Sequence, residues 1–223
     1  MSSPPLRVLF EDEWIIAVYK EAGHLVHAAD EPQPDDIVTM KLVRDYVGKK
    51  IYPTHRLDRP TCGVLLFAKG KTAARALNRA FERRQVQKTY QAIVNGSPEL
   101  DSWTCSEPLQ KTPSDLAKEA ITEFQVLERY SSHFTLLKAN PQTGRYHQIR
   151  KHLLHCGHPI VGDYFYTGFD ACEQTRLQLD IGTRMLLQCQ SLTLLHPISK
   201  KETLTVEAPA EEVFQLDLTI GSR

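Results

Sequence analysis

A chain of 223 residues with 41% hydrophobic content suits one large domain with a sizeable core. Lys+Arg and Asp+Glu each total 27, so there is no global polybasic field, and a polyanionic partner would have to be met by positive residues gathered on one face. Five cysteines without a CxxC exclude a disulfide scaffold, the N-terminus lacks an apolar signal core, and no apolar run nears the roughly 18 residues of a membrane helix, so a cytoplasmic globular protein with no membrane partner is expected.

Leu6 to Phe10 and Trp14 to Tyr19 are apolar runs joined by Glu11-Asp12-Glu13, the pattern of a β-hairpin. Ala22 to His27 continues as a turn and short strand, and Ala29 to Asp35, polar with prolines, reads as a surface loop. Asp35 or Asp36 is placed to cap a helix reaching about Tyr46, with Ile37, Met40 and Val43 or Val47 on one face. The segment from Thr54 to Lys69 then opens with the polar cluster His55-Arg56-Leu57-Asp58-Arg59 and turns at Pro60. Thr61-Cys62-Gly63 leads into the apolar run Val64 to Ala68, short and bounded by Gly63 and Gly70, hence a buried strand. A carboxylate on a loop feeding a core strand must be paired, and Arg56 and Arg59 are the nearest partners in sequence.

Lys71 to Arg84 has helical periodicity, with Ala73, Leu77, Ala80 and Phe81 as the apolar face. Arg75, Arg79 and Arg83 fall at i, i+4 and i+8, with Glu82 the one acid among them. Such a stripe is commonly a solvated face, but in a neutral protein it also suits a phosphate-facing surface. Lys88 to Val94 reads as a strand carrying Tyr90, Ala92 and Val94 on one face, and Ser97 to Asp115 as an irregular connection. Ala120 to Leu127 and Phe134 to Ala139 pair, Asn140 to Gly144 turns, and Tyr146 to Cys156 is a helix ended by Gly157 and Pro159. Asp163 to Leu179 has little periodicity. Met185 to Leu195 is a strand, followed by His196-Pro197, a hairpin into Leu204 to Val206, and a short helix over Glu211 to Leu216. Strands outnumber helices and rarely alternate with them, so the fold class is α+β with a largely antiparallel sheet.

The string HRLDRPTCG followed by an apolar strand resembles the catalytic-aspartate motif of the RluA-type pseudouridine synthases. Lys88-x-Tyr90, the block Gly144-Arg145-Tyr146-His147-Gln148-Ile149-Arg150 and the later His158-Pro159-Ile160-Val161-Gly162-Asp163 match further blocks in the family's order, over about Leu6 to Pro209. Two departures stand out: Tyr19-Lys20-Glu21 where Asn-Lys-Pro is usual, and Cys62 where serine is common. The resemblance implies a pseudouridine synthase fold, a largely antiparallel mixed sheet with flanking helices and a central catalytic cleft, formed by a single catalytic domain over 1–223 with no S4 domain. It implies isomerisation of uridine within RNA, with no cofactor and no metal. Asp58 is then the catalytic carboxylate, Arg150 its partner in the pocket, and Tyr90 the ring that stacks on the base and takes part in removing the C5 proton. Arg56 fills the space of the extruded nucleotide, and Arg75, Arg79, Arg145 and His147 contact the RNA.

The chemistry calls for such a set. Uracil must leave C1′, turn and rejoin through C5, so the nucleotide is flipped out and its gap occupied. A carboxylate can serve as nucleophile or as general base, and a close guanidinium keeps it ionised in a poorly solvated site. Each residue has a plainer reading: a core strand aromatic for Tyr90, a helix-surface residue for Arg150, a structural turn for Thr61 and Gly63. Their joint occurrence with Asp58 lowers those readings. His147, His152, His155, His158 and Cys156 lie close together, but a structural zinc site draws paired ligands from two segments, and here one segment supplies them all. A non-catalytic RNA-binding module would not need the carboxylate, and no G-x-S-x-G or H-E-x-x-H string supports a hydrolase. Within the family the motif blocks look most like the tRNA-modifying members, which points to a uridine in the T-stem and acceptor region, with ribosomal RNA as the alternative and a monomer as the active form.

Overall fold

The computed structural model describes residues 6–28, 31, 33–130, 133–179, 182, 184–209 and 211–214. In chain order its elements are β1 (Arg7–Glu11), β2 (Ile15–Lys20), α1 (Thr39–Val47), β3 (Tyr52–Pro53), β4 (Cys62–Ala68), α2 (Lys71–Glu82), β5 (Gln87–Asn95), β6 (Ser102–Cys105), β7 (Thr122–Arg129), β8 (Phe134–Pro141), α3 (Gln148–His155), α4 (Tyr164–Thr167), α5 (Phe169–Leu179), β9 (Leu187–Leu195), β10 (Thr203–Glu207) and a 3-10 turn (Glu212–Phe214). They fall into two compact units, Met1–Lys88 with Cys189–Ala208, and Thr89–Gln188 with Pro209–Arg223. The strands pair antiparallel, as the α+β reading expects.

In the first unit β1 and β2 form the expected hairpin. Its turn is closed by Asp12, whose Oδ1 accepts the N–H groups of Trp14 and Ile15 at 2.7 and 2.8 Å. Every residue of β2 and of β4 is buried, and the two run in register from Ile15 opposite Ala68 to Lys20 opposite Gly63. β9 follows β4 in the sheet and also pairs with β10. Gly63 is dictated by that packing. Its φ is +111°, and a Cβ there would stand 2.2 Å from the carbonyl oxygen of Cys189, so no side chain fits. α2 buries Ala73, Ala74 and Leu77; Ala80 and Phe81 are half-exposed, and Arg75, Arg79 and Arg83 face solvent. The cap assigned to Asp35 or Asp36 is not made. α1 begins three residues past Asp36, after Val38 and without a side-chain cap. Asp36 instead accepts the Gln33 N–H at 2.8 Å and pairs with Arg59 at 3.0 Å.

The second unit is built on the order β5-β8-β7-β6. β8 lies against β5 from Tyr90 opposite Ala139 to Asn95 opposite Phe134, and against β7 on its other edge. Ile93, Phe134, Leu136, Val161, Leu186 and Phe214 form its core. β6, α4 and α5 were not foreseen. β6 lies within the polar segment Ser97 to Asp115, where four residues are too few to show alternation. α4 and α5 occupy Asp163 to Leu179; α4 is a single turn, and neither helix carries a clean apolar stripe to betray it. The terminal turn covers Glu212–Phe214; Gln215 and Leu216, included in the expected helix, lie outside the described residues.

α3 is fixed by one amide. Gln148 is buried; its Oε1 accepts the Thr143 hydroxyl (2.7 Å) and the Arg145 N–H (2.9 Å), while its Nε2 donates to the Ile121 carbonyl and the Thr122 hydroxyl (2.9 Å each). All four hydrogen-bonding positions of the side chain are used. Gln148→Leu should therefore orphan several buried groups at once and destabilise the protein by at least about 1–3 kcal/mol, read as a lowered urea midpoint with unchanged slope.

Candidate active site

Asp58 is delivered by side chains that stand in for a strand. β3 pairs with β4 only at Tyr52–Ala68 and Pro53–Phe67. Beyond it, the Thr54 hydroxyl donates to the Leu66 carbonyl at 2.9 Å, and His55 Nε2 accepts the Leu66 N–H at 3.0 Å. The His55 ring also stacks on Phe81, centroids 5.0 Å apart. Burial, with Lys88 adding to it, pushes the His55 pKa down to about 3, consistent with a ring nitrogen that must keep a lone pair for an amide. Leu57 is then buried, Asp58 half-exposed, and the Asp58 carbonyl takes the Thr61 N–H at 3.0 Å, closing the turn onto buried Thr61 and Cys62.

A residue that sequence reasoning passed over holds this loop. Lys20 is fully buried, and its Nζ donates to the carbonyls of Glu21 and Arg59, 3.0 Å each. Burial pulls its pKa down to about 7, opposed by the nearby Cys62, Asp58 and Glu21. The signal was its place between Tyr19 and Glu21, where the family block also has lysine. Arg59 closes the same clamp: its carbonyl takes the Gly23 N–H (2.8 Å), its Nε donates to the Gly23 carbonyl (3.1 Å), and its guanidinium pairs with Asp36. The expectation that Arg59 partners Asp58 is thus corrected in favour of Asp36, which lies beside it once the 20–24 turn folds over. Arg56 is exposed.

Tyr90 and Arg150 belong to the second unit. Tyr90 is 9% exposed on β5. Arg150, on α3, is almost wholly buried and forks onto Asp163, Nε to Oδ2 at 2.8 Å and Nη2 to Oδ1 at 2.6 Å. Asp163 is reached through Gly162, whose φ is +77° and where a Cβ would meet the Arg184 carbonyl at 2.0 Å. The guanidinium also lies 5.0 and 5.7 Å from the rings of Tyr166 and Phe165. His147 precedes α3 in left-handed backbone, φ +54°. Its Nδ1 bonds the Tyr166 hydroxyl at 2.9 Å, and Tyr146 stacks on it at 3.7 Å. Arg145 donates to the Glu119 carbonyl at 2.8 Å. The remaining clustered histidines have other uses: His152 bonds Thr122 and the Glu107 carbonyl, and His158 the Asn95 carbonyl. Among the described residues no group of three His, Cys, Asp or Glu is placed to hold a metal ion. The structure thus gathers Arg150 and His147 in one aromatic cluster and sets Asp58 beside Lys20. Arg75 and Arg79 are displayed on the outer face of α2.

The half-exposed Asp58 at the mouth of β4 lies in the string, and Arg150 in the block, that resemble those of the RluA-type pseudouridine synthases. The model of the RNA pseudouridylate synthase family matches residues 14–155, and the chain belongs to that family. It is 36% identical to tRNA pseudouridine synthase C of Yersinia pestis and 35% identical to that of Haemophilus influenzae, over 94% of this chain and 88% and 95% of theirs. A Pectobacterium carotovorum protein of the same name is 36% identical, and the chain spans 60% of its length. In fold it is similar to human RNA Pseudouridylate Synthase Domain Containing 1, with a TM-score of 0.75 and 24% identity over 94% of this chain and 86% of that one.

His55 sets a pH dependence. Its folded pKa lies below its unfolded value of about 6.5, so the unfolded chain binds more protons between about pH 6.5 and pH 3. The neutral ring's contribution is complete above pH 6.5 and lost as pH falls toward 3. His55→Leu should lower stability at pH 7 by about 1–3 kcal/mol, because the Leu66 N–H loses its acceptor, and should flatten that acid limb in denaturant titrations across pH.

Proposed function

We propose that this pseudouridine synthase acts on tRNA, converting one uridine of the T-stem and acceptor region, and that it works as a monomer with a single catalytic domain. The observation that carries the reading is the Asp58 loop: the full HRLDRPTCG string is present, and His55, Arg59 and Thr61 within it tie down the loop that carries the carboxylate at the mouth of β4. The tRNA substrate is supported by the names of relatives that match 94% of the chain.

In this reading the target nucleotide is flipped from its helix. Asp58 supplies the negative charge that the glycosidic exchange uses, as nucleophile or as base. Arg150 supplies the cation that the carboxylate chemistry calls for, its orientation locked by the fork to Asp163 and by the flanking rings. Tyr90 stacks on the detached uracil and assists loss of the C5 proton, and Arg56, exposed on the motif, fills the vacated space in the RNA. Arg145 and His147 contact the strand beside the site. Arg75 and Arg79 carry phosphates along the outer face of α2.

Purified protein given an unmodified tRNA transcript should yield pseudouridine on nucleoside analysis, without ribosomal particles. Asp58→Asn should abolish product while retaining the fold and much of the RNA affinity. Mapping total RNA from a strain lacking the gene should reveal one missing tRNA pseudouridine; a missing ribosomal one with every tRNA site intact would overturn the substrate.

Binding should also weaken steeply with salt. Each phosphate contact removed by Arg75→Ala or Arg79→Ala should lower the slope of log K against log salt by about one unit or less. An unchanged slope would return the stripe to a solvated face.

A further inference from the structure

Between α3 and α5 the chain leaves large aromatic surface in water. Phe165, on α4, is 70% exposed, and Tyr146, just before α3, is 38% exposed. A floppy aromatic on a surface loop would be unremarkable, but Phe165 is held from several sides. The Arg150 guanidinium lies 5.7 Å from its ring, Tyr166 meets it edge-on at 4.9 Å, and His147 meets it edge-on at 5.6 Å. Those partners are themselves fixed, Arg150 by Asp163 and His147 by the Tyr166 hydroxyl and the stacked Tyr146. His147 holds its place in left-handed backbone, φ +54°, a conformation unfavourable for a residue with a side chain. Asp163 is spent on Arg150, and Lys151 lies 5.5 Å from the Tyr146 ring. An oriented aromatic face with a lysine at its side is the arrangement that takes a nucleobase: the ring stacks, and the lysine meets the attached phosphate. An apolar protein partner would find basic side chains around a single ring.

We infer that Phe165, backed by Arg150, Tyr166 and His147 and flanked by Tyr146 and Lys151, is a stacking platform for one unpaired base of the substrate RNA, separate from the uridine that reacts. This rests on the reading of the chain as a tRNA pseudouridine synthase and deepens it, because it requires a nucleotide beside the target to leave its helix as well. A ring stack tolerates any base, so the platform sets affinity and placement more than sequence preference.

The test uses the full chain and an unmodified tRNA transcript. Binding is measured on the Asp58→Asn background at several salt concentrations, and single-turnover product formation on the otherwise unchanged protein. Phe165→Ala should weaken binding by about 5- to 150-fold with an unchanged salt slope. Phe165→Leu should be similarly weak, and Phe165→Trp should bind at least as well as the parent. Lys151→Ala should instead lower the salt slope by up to about one unit. Thermal unfolding of Phe165→Ala should match the parent, since the ring is mostly in water. If the parent isomerises tRNA but Phe165→Ala binds and turns over equally well, the platform is refuted and the face is left for a protein partner. Full rescue by leucine also refutes it, because apolar area then suffices. A parent with no activity on tRNA would instead overturn the substrate reading.

Discussion

The peptide of Leu66 is the point on which the first unit turns. It lies in the middle of a strand in which every residue is buried, where an unpaired N–H or carbonyl is costly. β3 ends before it can supply a partner, and Thr54 and His55 complete the ladder with their side chains. Those two residues are tied to the strand, and Asp58, three residues past His55, is held at the start of β4 by the Thr61 N–H on its carbonyl. The carbonyl of Arg59 then takes Lys20 and the Gly23 N–H, so the loop is clamped on both sides of the carboxylate. A functional group held this way loses little entropy when substrate arrives.

The second unit solves the same problem with charge. Arg150 and Asp163 are both almost wholly buried, and a pair so desolvated contributes little net stability while the loss of either member is severe, about 3–5 kcal/mol. What the pair secures is position. Nε and one terminal nitrogen are committed to the two carboxylate oxygens, which leaves the guanidinium a single orientation. It also starts α4, since the Asp163 carbonyl receives the N–H groups of Tyr166 and Thr167 and the Thr167 hydroxyl. α3 and the aromatic segment after it are thereby one assembly, with Gln148 anchoring the other end of α3 to β7 through Thr122.

Much of this could be read from the chain alone. The hairpin of β1 and β2, the buried run of β4, the amphipathic α2, the β7–β8 pair and the α3 helix all follow from periodicity and turn residues, which are local properties. The family followed from the motif strings, and it is those strings that nominate Asp58, Tyr90 and Arg150 for the proposed chemistry. Other features had no local trace: Lys20 reads as a polar end to a strand, β6 is too short to alternate, and α4 begins at a buried ion pair. Asp36, at a sequence position suited to a cap, is taken by Arg59 instead.

The sequence by itself determined the strongly periodic elements, β1, β2, β4, α2, β7, β8 and α3, and placed glycine at 63 and 162, where no side chain fits. Only the tertiary structure decided the partners: His55 with the Leu66 amide, Lys20 with the Arg59 carbonyl, Arg150 with Asp163. The reason is physical. Periodicity records which side of an element faces the core, but a hydrogen bond or ion pair depends on two atoms meeting within about 3 Å at a workable angle, and residues dozens of positions apart meet only after the sheet has been assembled.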